Sequence, residues 1–506
     1  MTEYGTILPD DEHNRRLAAN VRPPAYRNPA PAERYNLVVL GAGTAGLVTA
    51  AGAASLGAKV ALVERHLMGG DCLNVGCVPS KAVIRSSRLL AEVRRGASFG
   101  ARSDGDVTLD FATVMDRMRR VRAQVSRSDS VERFRGLGVD VFLGEGRFSG
   151  PDTVEVAGET LRFKRAVIAT GARATAPPID GLSEAGYLTN ETVFSLTEQP
   201  RRLAVIGAGA VGCELAQAFR RLGSDVTAFD ILPQILGRED ADAAQLIRRV
   251  LEREGVRFAI PSQIRAIERA PEGKTLHFAV DGRDERITVD EILIGAGRAP
   301  NVEGLGLEKV GVAFDAKRGV VVDDHLRTTN PRIFAAGDVC LELKFTHVAD
   351  FAARIVIQNA LFLGRKRVST LTIPWCTYTE PEVAHVGLYE RDAIAQGIAV
   401  DTFVRPLAEV DRAVIDGEEE GFVKIHVRRG TDRLVGATIV ASHAGDLVSE
   451  ITLALTAGVG LGRLASVIHP YPTQAEAIRQ LGDAYNRTRL TPFVKRLFEA
   501  WLRWTR

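Results

Sequence analysis

The stretch YNLVVLGAGTAG, residues 35–46, decides the fold of this chain. A run of β-forming residues leads directly into a Gly-x-Gly-x-x-Gly turn that starts at Gly41. An Ala- and Leu-rich segment to Leu56 predicts a helix, and residues 59–63 predict a second strand that ends at the acid Glu64. This order of elements predicts a β-turn-α-β unit that binds a dinucleotide.

The glycines of this turn each have a physical role. Gly41 permits the tight turn, Gly43 lets the backbone approach a diphosphate, and Gly46 lets helix and strand pack closely. The diphosphate is expected at the positive end of the helix dipole. Glu64 is expected to accept hydrogen bonds from a ribose.

The same pattern recurs in LAVIGAGAVG, residues 203–212. Its glycines are Gly207, Gly209 and Gly212, and the strand that follows its helix ends at Asp230. The first glycine and the acid are 23 residues apart in both units. One such loop is a weak signal, but two with equal spacing predict two dinucleotide sites.

A third motif, GGDCLNVGCVPSK at residues 69–81, places Cys72 close to Cys77. The glycines give the backbone the freedom that two thiols need to come within disulfide range, with Cα atoms about 7 Å apart or less. If the pair lies at a helix start, the helix dipole favours a thiolate. No further Cys or His stands nearby at zinc-ligand spacing. The motif therefore predicts a redox-active dithiol and no metal site, while the other three cysteines (Cys213, Cys340, Cys376) are interpreted as buried thiols.

Length and composition restrict the class of protein. A chain of 506 residues is too long for one hydrophobic core, so several domains are expected. Lys and Arg number 65 against 63 Asp and Glu, which gives no indication of nucleic-acid binding. The chain has no long apolar run and no signal-peptide pattern at its polar, acidic start, so we expect a cytoplasmic protein.

Together these motifs resemble the class I pyridine nucleotide-disulfide oxidoreductases, which include glutathione reductase, dihydrolipoamide dehydrogenase and mercuric reductase. The resemblance runs from about Tyr35 to about Thr491 and is nearest to the mercuric reductase-like branch. It implies an α/β fold with two Rossmann-like domains, for FAD and NAD(P), a C-terminal α+β dimerisation domain, and a homodimer with a shared active site. Besides the glycine loops and the dithiol, the motifs that carry it are Ala169-Thr170-Gly171, Gly297-Arg298-Ala299-Pro300-Asn301 and Ala336-Gly337-Asp338.

The resemblance and the composition along the chain also predict domain boundaries. The predicted segments are an irregular leader at 1–34, the first part of the FAD domain at 35–182, the NAD(P) domain at 183–300, the return to the FAD domain at 301–370, the dimerisation domain at 371–490 and an amphipathic tail at 491–506.

Roles for single residues follow from the same resemblance. Cys77, nearer the flavin, would form the charge-transfer thiolate, and Cys72 would exchange with the acceptor. Lys81 matches a lysine near the flavin, with Glu214 as its ion-pair partner. Reduced nicotinamide would pass hydride to FAD, FAD would reduce the disulfide, and the dithiol would reduce an acceptor. The cofactor-binding set is Gly41, Gly43, Gly46, Glu64, Lys81, Thr170, Gly171 and Asp338 for FAD, and Gly207, Gly209, Gly212, Asp230 and Gly297 for NAD(P).

The choice of nicotinamide cofactor rests on the acid of the second unit. Asp230 suits a free 2′-hydroxyl and repels a 2′-phosphate, so NADH is favoured over NADPH. Arg238, further along the chain, is a candidate to bind a 2′-phosphate, so NADPH stays the alternative.

One position departs from the better-known members of the family. Where glutathione reductase and dihydrolipoamide dehydrogenase carry an acid/base histidine before a Pro-Thr pair, this chain has Tyr471, with Glu476 at the expected spacing. A phenol with a pKa near 10 is a poor base at neutral pH. Mercuric reductases carry a tyrosine in the matching place, where it serves a metal path. His469 either reaches toward the thiol or is a hydrogen-bonded structural residue.

The tail lacks the vicinal cysteine pair with which mercuric reductases collect Hg(II). The acceptor (an Hg(II)-type ion, a disulfide or a quinone) therefore stays open, and two alternatives are a dihydrolipoamide dehydrogenase of a 2-oxo acid dehydrogenase complex and a flavoprotein redox sensor without turnover. Phe493, Leu497 and Trp501 recur at helical spacing in the tail. They predict an amphipathic helix that packs on the protein's own surface or contacts a membrane.

Overall fold

The computed structural model describes residues 7–102 and 107–506. They divide into two compact units, the first made of the described residues up to 208 together with 215–231 and 255–371, and the second of residues 209–214, 232–254 and 372–506. Within the described residues, no helix has the length and apolar character that crossing a membrane requires.

The elements follow one another along the chain in three stretches. The first contains α1 (Glu12–Val21), β1 (Tyr35–Leu40), α2 (Thr44–Ser55), β2 (Val60–Glu64), α3 (Gly70–Asn74), α4 (Cys77–Arg95), α5 (Phe111–Val125), α6 (Val131–Gly136), β3 (Val139–Leu143), β4 (Gly146–Gly150), β5 (Thr153–Val156), β6 (Glu159–Ile168), β7 (Ala172–Ala174) and α7 (Leu182–Ala185). The second contains β8 (Arg202–Ile206), α8 (Ala210–Leu222), β9 (Asp225–Phe229), α9 (Ala241–Arg253), β10 (Arg257–Ala259), β11 (Ser262–Ala270), β12 (Gly273–Val280), β13 (Arg283–Val289), β14 (Glu291–Ile294), β15 (Arg298–Pro300), β16 (Phe314–Asp315), β17 (Gly319–Val320), β18 (Ile333–Ala335) and α10 (Thr346–Leu361). The third contains β19 (Pro374–Thr377), β20 (Glu382–Gly387), α11 (Glu390–Ala395), β21 (Val400–Pro406), α12 (Asp411–Asp416), β22 (Phe422–Arg428), β23 (Leu434–Ala441), α13 (Ala444–Ala457), α14 (Leu461–Leu464), α15 (Glu476–Thr488) and α16 (Pro492–Trp504).

The sheet that carries the first glycine loop has the order β3-β2-β1-β6-β5-β4, with β18 also paired to β6. Strands β1, β2, β3, β6 and β18 run parallel. Every residue of β2 is buried and so are five of the six in β1, as expected for parallel strands covered on both faces. Helix α2 packs against α10 on one face of this sheet. The first glycine loop follows β1 directly, so it opens at the carboxyl end of a buried strand.

A second parallel sheet has the order β10-β9-β8-β14 and carries the second glycine loop at the end of β8. An antiparallel sheet, β11-β12-β13, belongs to the same unit. The two parallel sheets confirm the predicted pair of Rossmann-like domains.

The N-terminal segment is more ordered than the sequence predicted. Within the stretch 1–34 predicted as irregular, α1 begins after Asp11, whose side chain accepts a hydrogen bond from the N–H of Asn14 at 2.8 Å. The prolines that suggested an irregular leader all follow α1, from Pro23 onward, so they do not interrupt it.

The second unit contains the predicted C-terminal α+β fold. Its five-stranded antiparallel sheet has the order β19-β20-β23-β22-β21, and α13 and α15 bury apolar residues against it. The tail forms the predicted amphipathic helix, α16.

Candidate active site

The first glycine loop has the geometry of a dinucleotide cradle. Gly41 has a φ of +100°, and a Cβ there would lie 2.4 Å from the carbonyl oxygen of Ala169. A Cβ at Gly46 would lie 1.8 Å from the carbonyl oxygen of Gly41. At Gly43 the nearest atom to such a Cβ is 3.6 Å away. The outer glycines are therefore required by packing, whereas a Cβ at the middle one would make only an ordinary van der Waals contact, with Gly70.

The two acids that end β2 and β9 make the same contact. Glu64 Oε2 accepts a 2.7 Å hydrogen bond from the N–H of Ala42, inside the first loop. Asp230 Oδ2 accepts a 2.7 Å hydrogen bond from the N–H of Ala208, inside the second loop. Burial raises the pKa of the Glu64 carboxyl. Each acid thus fixes the glycine loop beside it, which sequence spacing alone did not reveal.

The dithiol lies across two helices. Cys72 is in the short helix α3, and Cys77 is the first residue of α4, which is 19 residues long. The sequence predicts a thiolate if the pair lies at a helix start. Cys77 does begin a long helix, and the N-terminus of such a helix favours a thiolate there. The pKa of the Cys72 thiol is raised, mainly by its hydrogen bond to Cys77 and secondly by burial. Cys72 is half-buried and Cys77 is exposed.

A residue that lies in none of the sequence motifs contacts this pair. The hydroxyl of Thr346, the first residue of α10, lies 3.5 Å from the Cys77 sulfur. No motif marks Thr346, since the chain brings it to the dithiol from 269 residues away.

The loop between the cysteines is held from several sides. Asn74 donates hydrogen bonds from Nδ2 to the carbonyl oxygens of Met68 (3.0 Å) and Gly70 (2.9 Å). Arg122 donates to the carbonyl oxygen of Asn74 at 2.8 Å, and Asn190 donates to that of Val75 at 3.2 Å. These bonds restrain the loop that joins the two thiols.

Lys81 and Glu214 are placed on separate elements. Lys81 is half-buried in α4, one turn beyond Cys77 and on the same face. Glu214 is buried in α8, and its carboxylate accepts a 2.8 Å hydrogen bond from the N–H of Tyr378. The predicted ion pair between Lys81 and Glu214 stays a prediction.

The Ala-Thr-Gly motif is joined to the Gly-Arg-Ala-Pro-Asn motif. Thr170 Oγ1 donates to the carbonyl oxygen of Asn301 at 2.7 Å, and Asn301 Nδ2 donates back to that of Thr170 at 2.9 Å. The N–H of Asn301 also donates to the carbonyl oxygen of Gly171 at 2.9 Å. Gly297 has a φ of +82°, and a Cβ there would lie 2.6 Å from Thr175 Oγ1.

Arg298 connects that motif to the dithiol segment. Its guanidinium forms an ion pair with Asp71, next to Cys72, and donates to the carbonyl oxygen of Ala172 at 2.9 Å. The carboxylate of Asp338 lies 3.8 Å from Arg298 Nε, and burial raises the pKa of that carboxyl. Asp71 and Arg298 belong to two of the sequence motifs, but neither was predicted as a site residue, because only the fold shows that they meet.

The C-terminal candidates lie in the second unit. Tyr471 is 69% exposed, its hydroxyl donates to Asp411 at 2.9 Å, and that hydrogen bond raises the pKa of the phenol. His469 Nε2 lies 3.1 Å from the Glu450 carboxylate, and Nδ1 lies 3.1 Å from the Val467 carbonyl oxygen. These contacts are those of a hydrogen-bonded structural histidine.

Glu476 begins α15 and forms a 2.6 Å ion pair with Arg479. No group of three or more His, Cys, Asp or Glu side chains is placed to hold a metal ion within residues 7–102 and 107–506.

A dithiol at a helix start, beside a dinucleotide cradle in an α/β protein with two parallel sheets, defines a class: flavin-dependent disulfide oxidoreductases. Residues 35–353 match the pyridine nucleotide-disulphide oxidoreductase family and residues 373–481 match the dimerisation domain of that family. The chain belongs to the class I pyridine nucleotide-disulfide oxidoreductases, and it is therefore an enzyme that binds FAD and a pyridine nucleotide. The dimerisation domain supports a homodimer.

Its relatives carry more than one name. The chain is 36% identical to the mercuric reductase of Streptomyces lividans, over 89% of this chain and 96% of that protein. It is 34% identical to the dihydrolipoyl dehydrogenase of Thermus scotoductus, over 90% of this chain and 98% of that protein. Among solved structures, the HOCl-induced flavoprotein disulfide reductase RclA from Escherichia coli shares 26% identity at a TM-score of 0.79, over 89% of this chain and 99% of that one.

Proposed function

We propose that the protein is an NADH-dependent disulfide oxidoreductase of mercuric reductase-like type, whose Cys72–Cys77 pair delivers electrons to an Hg(II)-type ion, a disulfide or a quinone. The observation that carries the proposal is the pair itself: Cys77 begins α4, and Cys72, five residues before it, is hydrogen-bonded to it, which raises the pKa of the Cys72 thiol. Bound FAD supplies two-electron exchange between nicotinamide and the dithiol.

We propose one cofactor site at each of the two glycine loops. The first loop (Gly41, Gly43, Gly46), with Glu64, Thr170, Gly171 and Asp338, would hold FAD. The second loop (Gly207, Gly209, Gly212), with Asp230 and Gly297, would hold the pyridine nucleotide. At Gly209 no atom lies within 4 Å of where a Cβ would stand, which suits close approach of a diphosphate.

With a disulfide acceptor, the proposed step is thiol–disulfide exchange. Deprotonated Cys72 attacks one acceptor sulfur, and that acceptor's disulfide bond breaks as a mixed disulfide forms. Cys77 then attacks Cys72, the Cys72–Cys77 disulfide closes, and two electrons and two protons leave on the two acceptor thiols. A thiolate favoured at Cys77 by α4 suits the second attack.

The Cys72 thiol needs a proton acceptor in this step, and Tyr471 is not suited to that role. Because its hydrogen bond to Asp411 raises the pKa of the phenol, Tyr471 stays protonated at neutral pH. We therefore place disulfide acceptors, lipoamide included, below soft metal ions, because a metal ion, unlike a disulfide or a quinone, takes up no proton when it is reduced. Dihydrolipoamide dehydrogenase stays the alternative, since such relatives match this chain about as well as mercuric reductases do.

The test is an anaerobic titration of the holoenzyme with NADH, then an acceptor screen with Hg(II), lipoamide, glutathione disulfide and quinones. We expect a long-wavelength absorption band after two-electron reduction that disappears in Cys77→Ser, and loss of acceptor turnover in Cys72→Ser. Cys376→Ser is the matched control, since that thiol lies outside the dithiol motif, in β19, where it bonds to the Thr377 carbonyl oxygen at 3.6 Å and toward Glu382 at 3.9 Å. Full turnover in Cys72→Ser, or no turnover with any acceptor, would contradict the proposal. The cytoplasmic location stays a prediction.

A further inference from the structure

The last helix, α16, presents its apolar side chains to the surface. None of its residues is buried against the described part of the chain, and Trp501 and Trp504 are 59% and 77% exposed. The sequence left open whether this tail packs on the protein's own surface, and with residues 7–102 and 107–506 in place only Val494 of the helix is even half-buried. Its exposed large apolar residues are Phe493, Leu497, Phe498, Trp501, Leu502 and Trp504.

Local signals, and not packing, start this helix. The Thr491 side chain accepts a hydrogen bond from the N–H of Val494 at 3.3 Å, and Pro492 occupies the first turn. The preceding helix α15 ends at Thr488, so α16 is a separate element. An isolated helix of 13 residues is marginal in water, and it gains most from an apolar surface that covers it.

The apolar and the charged side chains of α16 lie on opposite sides of the helix. At about 100° per residue, the apolar side chains cover an arc of roughly 200°. The narrower remaining arc carries Lys495, Arg496, Glu499 and Arg503. The rings of Trp501 and Trp504 lie 5.3 Å apart at the C-terminal end of the apolar arc.

The surrounding segment is basic. Residues 487–506 contain six Lys or Arg residues and one acid, Glu499, although the whole chain is nearly neutral. The match to the family's dimerisation domain ends at residue 481, before α16 begins, so α16 lies outside the segment that this match assigns to the dimer.

We propose that α16 docks the enzyme on an anionic lipid surface, where the helix lies in the interfacial plane. A wide apolar arc with Trp residues, flanked by Lys and Arg, fits the boundary between headgroups and acyl chains. A nucleic acid would leave the apolar arc in water, and a protein groove matches a narrower apolar stripe. This surface is independent of the redox chemistry proposed above.

The test uses the FAD-loaded full-length enzyme and two kinds of vesicle, phosphatidylcholine alone and phosphatidylcholine with about 30% phosphatidylglycerol. We expect co-sedimentation with the anionic vesicles only, its loss in about 0.5 M salt, and a blue shift of Trp emission on binding. In Lys495→Ala/Arg496→Ala the vesicle affinity should fall roughly twenty-five-fold, since each basic residue near the surface contributes about fivefold.

A matched pair of variants separates this helix from general surface hydrophobicity. Trp501→Ser/Trp504→Ser should abolish binding, whereas Phe362→Ser/Leu363→Ser, which removes two equally exposed apolar side chains elsewhere, should leave it unchanged. Equal binding by both double variants, or no binding of the parent to anionic vesicles, would overturn the proposal. So would dissociation of the homodimer in Trp501→Ser/Trp504→Ser, measured by light scattering, because a second copy would then cover the helix.

Discussion

Arg122 donates a 2.8 Å hydrogen bond from Nη1 to the carbonyl oxygen of Asn74, which lies between the two cysteines of the dithiol. Its Nη2 donates a 2.7 Å hydrogen bond to Oδ1 of Asn14 in α1. The guanidinium is buried, and burial lowers its pKa to about 10. One buried side chain therefore ties the N-terminal helix to the redox loop.

Replacing Arg122 should loosen both elements. In Arg122→Met the Asn74 carbonyl and the Asn14 side chain lose their buried donor, so the free energy of unfolding should fall by about 3 kcal/mol. Urea denaturation measures this fall, and faster alkylation of Cys72 in the reduced protein would report the loosened loop. Arg120→Met, an exposed position on the same helix, is the control and should change the free energy by less than about 0.5 kcal/mol. Equal effects of the two substitutions would contradict the role given to Arg122.

His385 should make stability depend on pH. Burial lowers the pKa of this histidine to about 3, and its ring nitrogens lie 2.9 Å from Thr438 Oγ1 and 3.1 Å from the Gly387 carbonyl oxygen. The unfolded chain, with a histidine pKa near 6.5, binds the extra proton between pH 3 and 6.5, so this contribution to stability is complete above about pH 6.5 and is lost as the pH falls. The slope is about 1.4 kcal/mol per pH unit.

His385→Gln should remove that slope between about pH 4 and 6. The measurement is urea unfolding followed by Trp375, whose ring lies 4.7 Å from that of His385, in a Trp501→Phe/Trp504→Phe background. The exposed His443 supplies the control, His443→Gln, which should keep the slope of the parent. An unchanged slope in His385→Gln would show that other groups cause the dependence.

Tyr471 should contribute little to disulfide reduction as it stands. Since its phenol keeps its proton at neutral pH, Tyr471→Phe should change kcat/KM for lipoamide by less than about threefold. Tyr471→His, with an imidazole pKa near 6.5, should raise it by more than about tenfold and give a pH profile centred near neutrality. A loss of about a hundredfold in Tyr471→Phe would instead show that the phenol takes part in the reaction.

Asp230 should select the nicotinamide cofactor. Its carboxylate ends β9 and accepts from the loop N–H of Ala208, so a 2′-phosphate near it would meet a negative charge. We expect kcat/KM to favour NADH, and Asp230→Asn, which keeps an acceptor for Ala208, to raise the value for NADPH by about tenfold. Arg238 is a candidate to bind that phosphate, but its guanidinium lies 5.9 Å from the Trp375 ring centroid. Arg238→Ala should therefore leave the ratio unchanged, and a parent enzyme that prefers NADPH would contradict the prediction.

The sequence alone determined the parts of this protein that depend on local rules. Strand, glycine turn, helix and terminal acid occur within about 30 residues of one another, and their steric demands are visible in the residue types, so both dinucleotide units were predicted. The spacing of Cys72 and Cys77 belongs to the same kind of signal, as does the helical period of α16. The α1 helix was not predicted, because the prolines that follow it indicate irregular structure for the whole leader.

Only the tertiary structure decided which distant residues meet. Thr346 reaches Cys77, Arg122 reaches Asn74, and Arg298 pairs with Asp71 across large separations in sequence, where no periodicity exists to detect. Burial decided the charge states in the same way, because the pKa of a carboxyl, thiol or imidazole is set by solvent access and neighbours that the fold supplies. The apolar face of α16 also stays exposed among the residues that the structure describes, since a helical pattern predicts an apolar face but not what covers it.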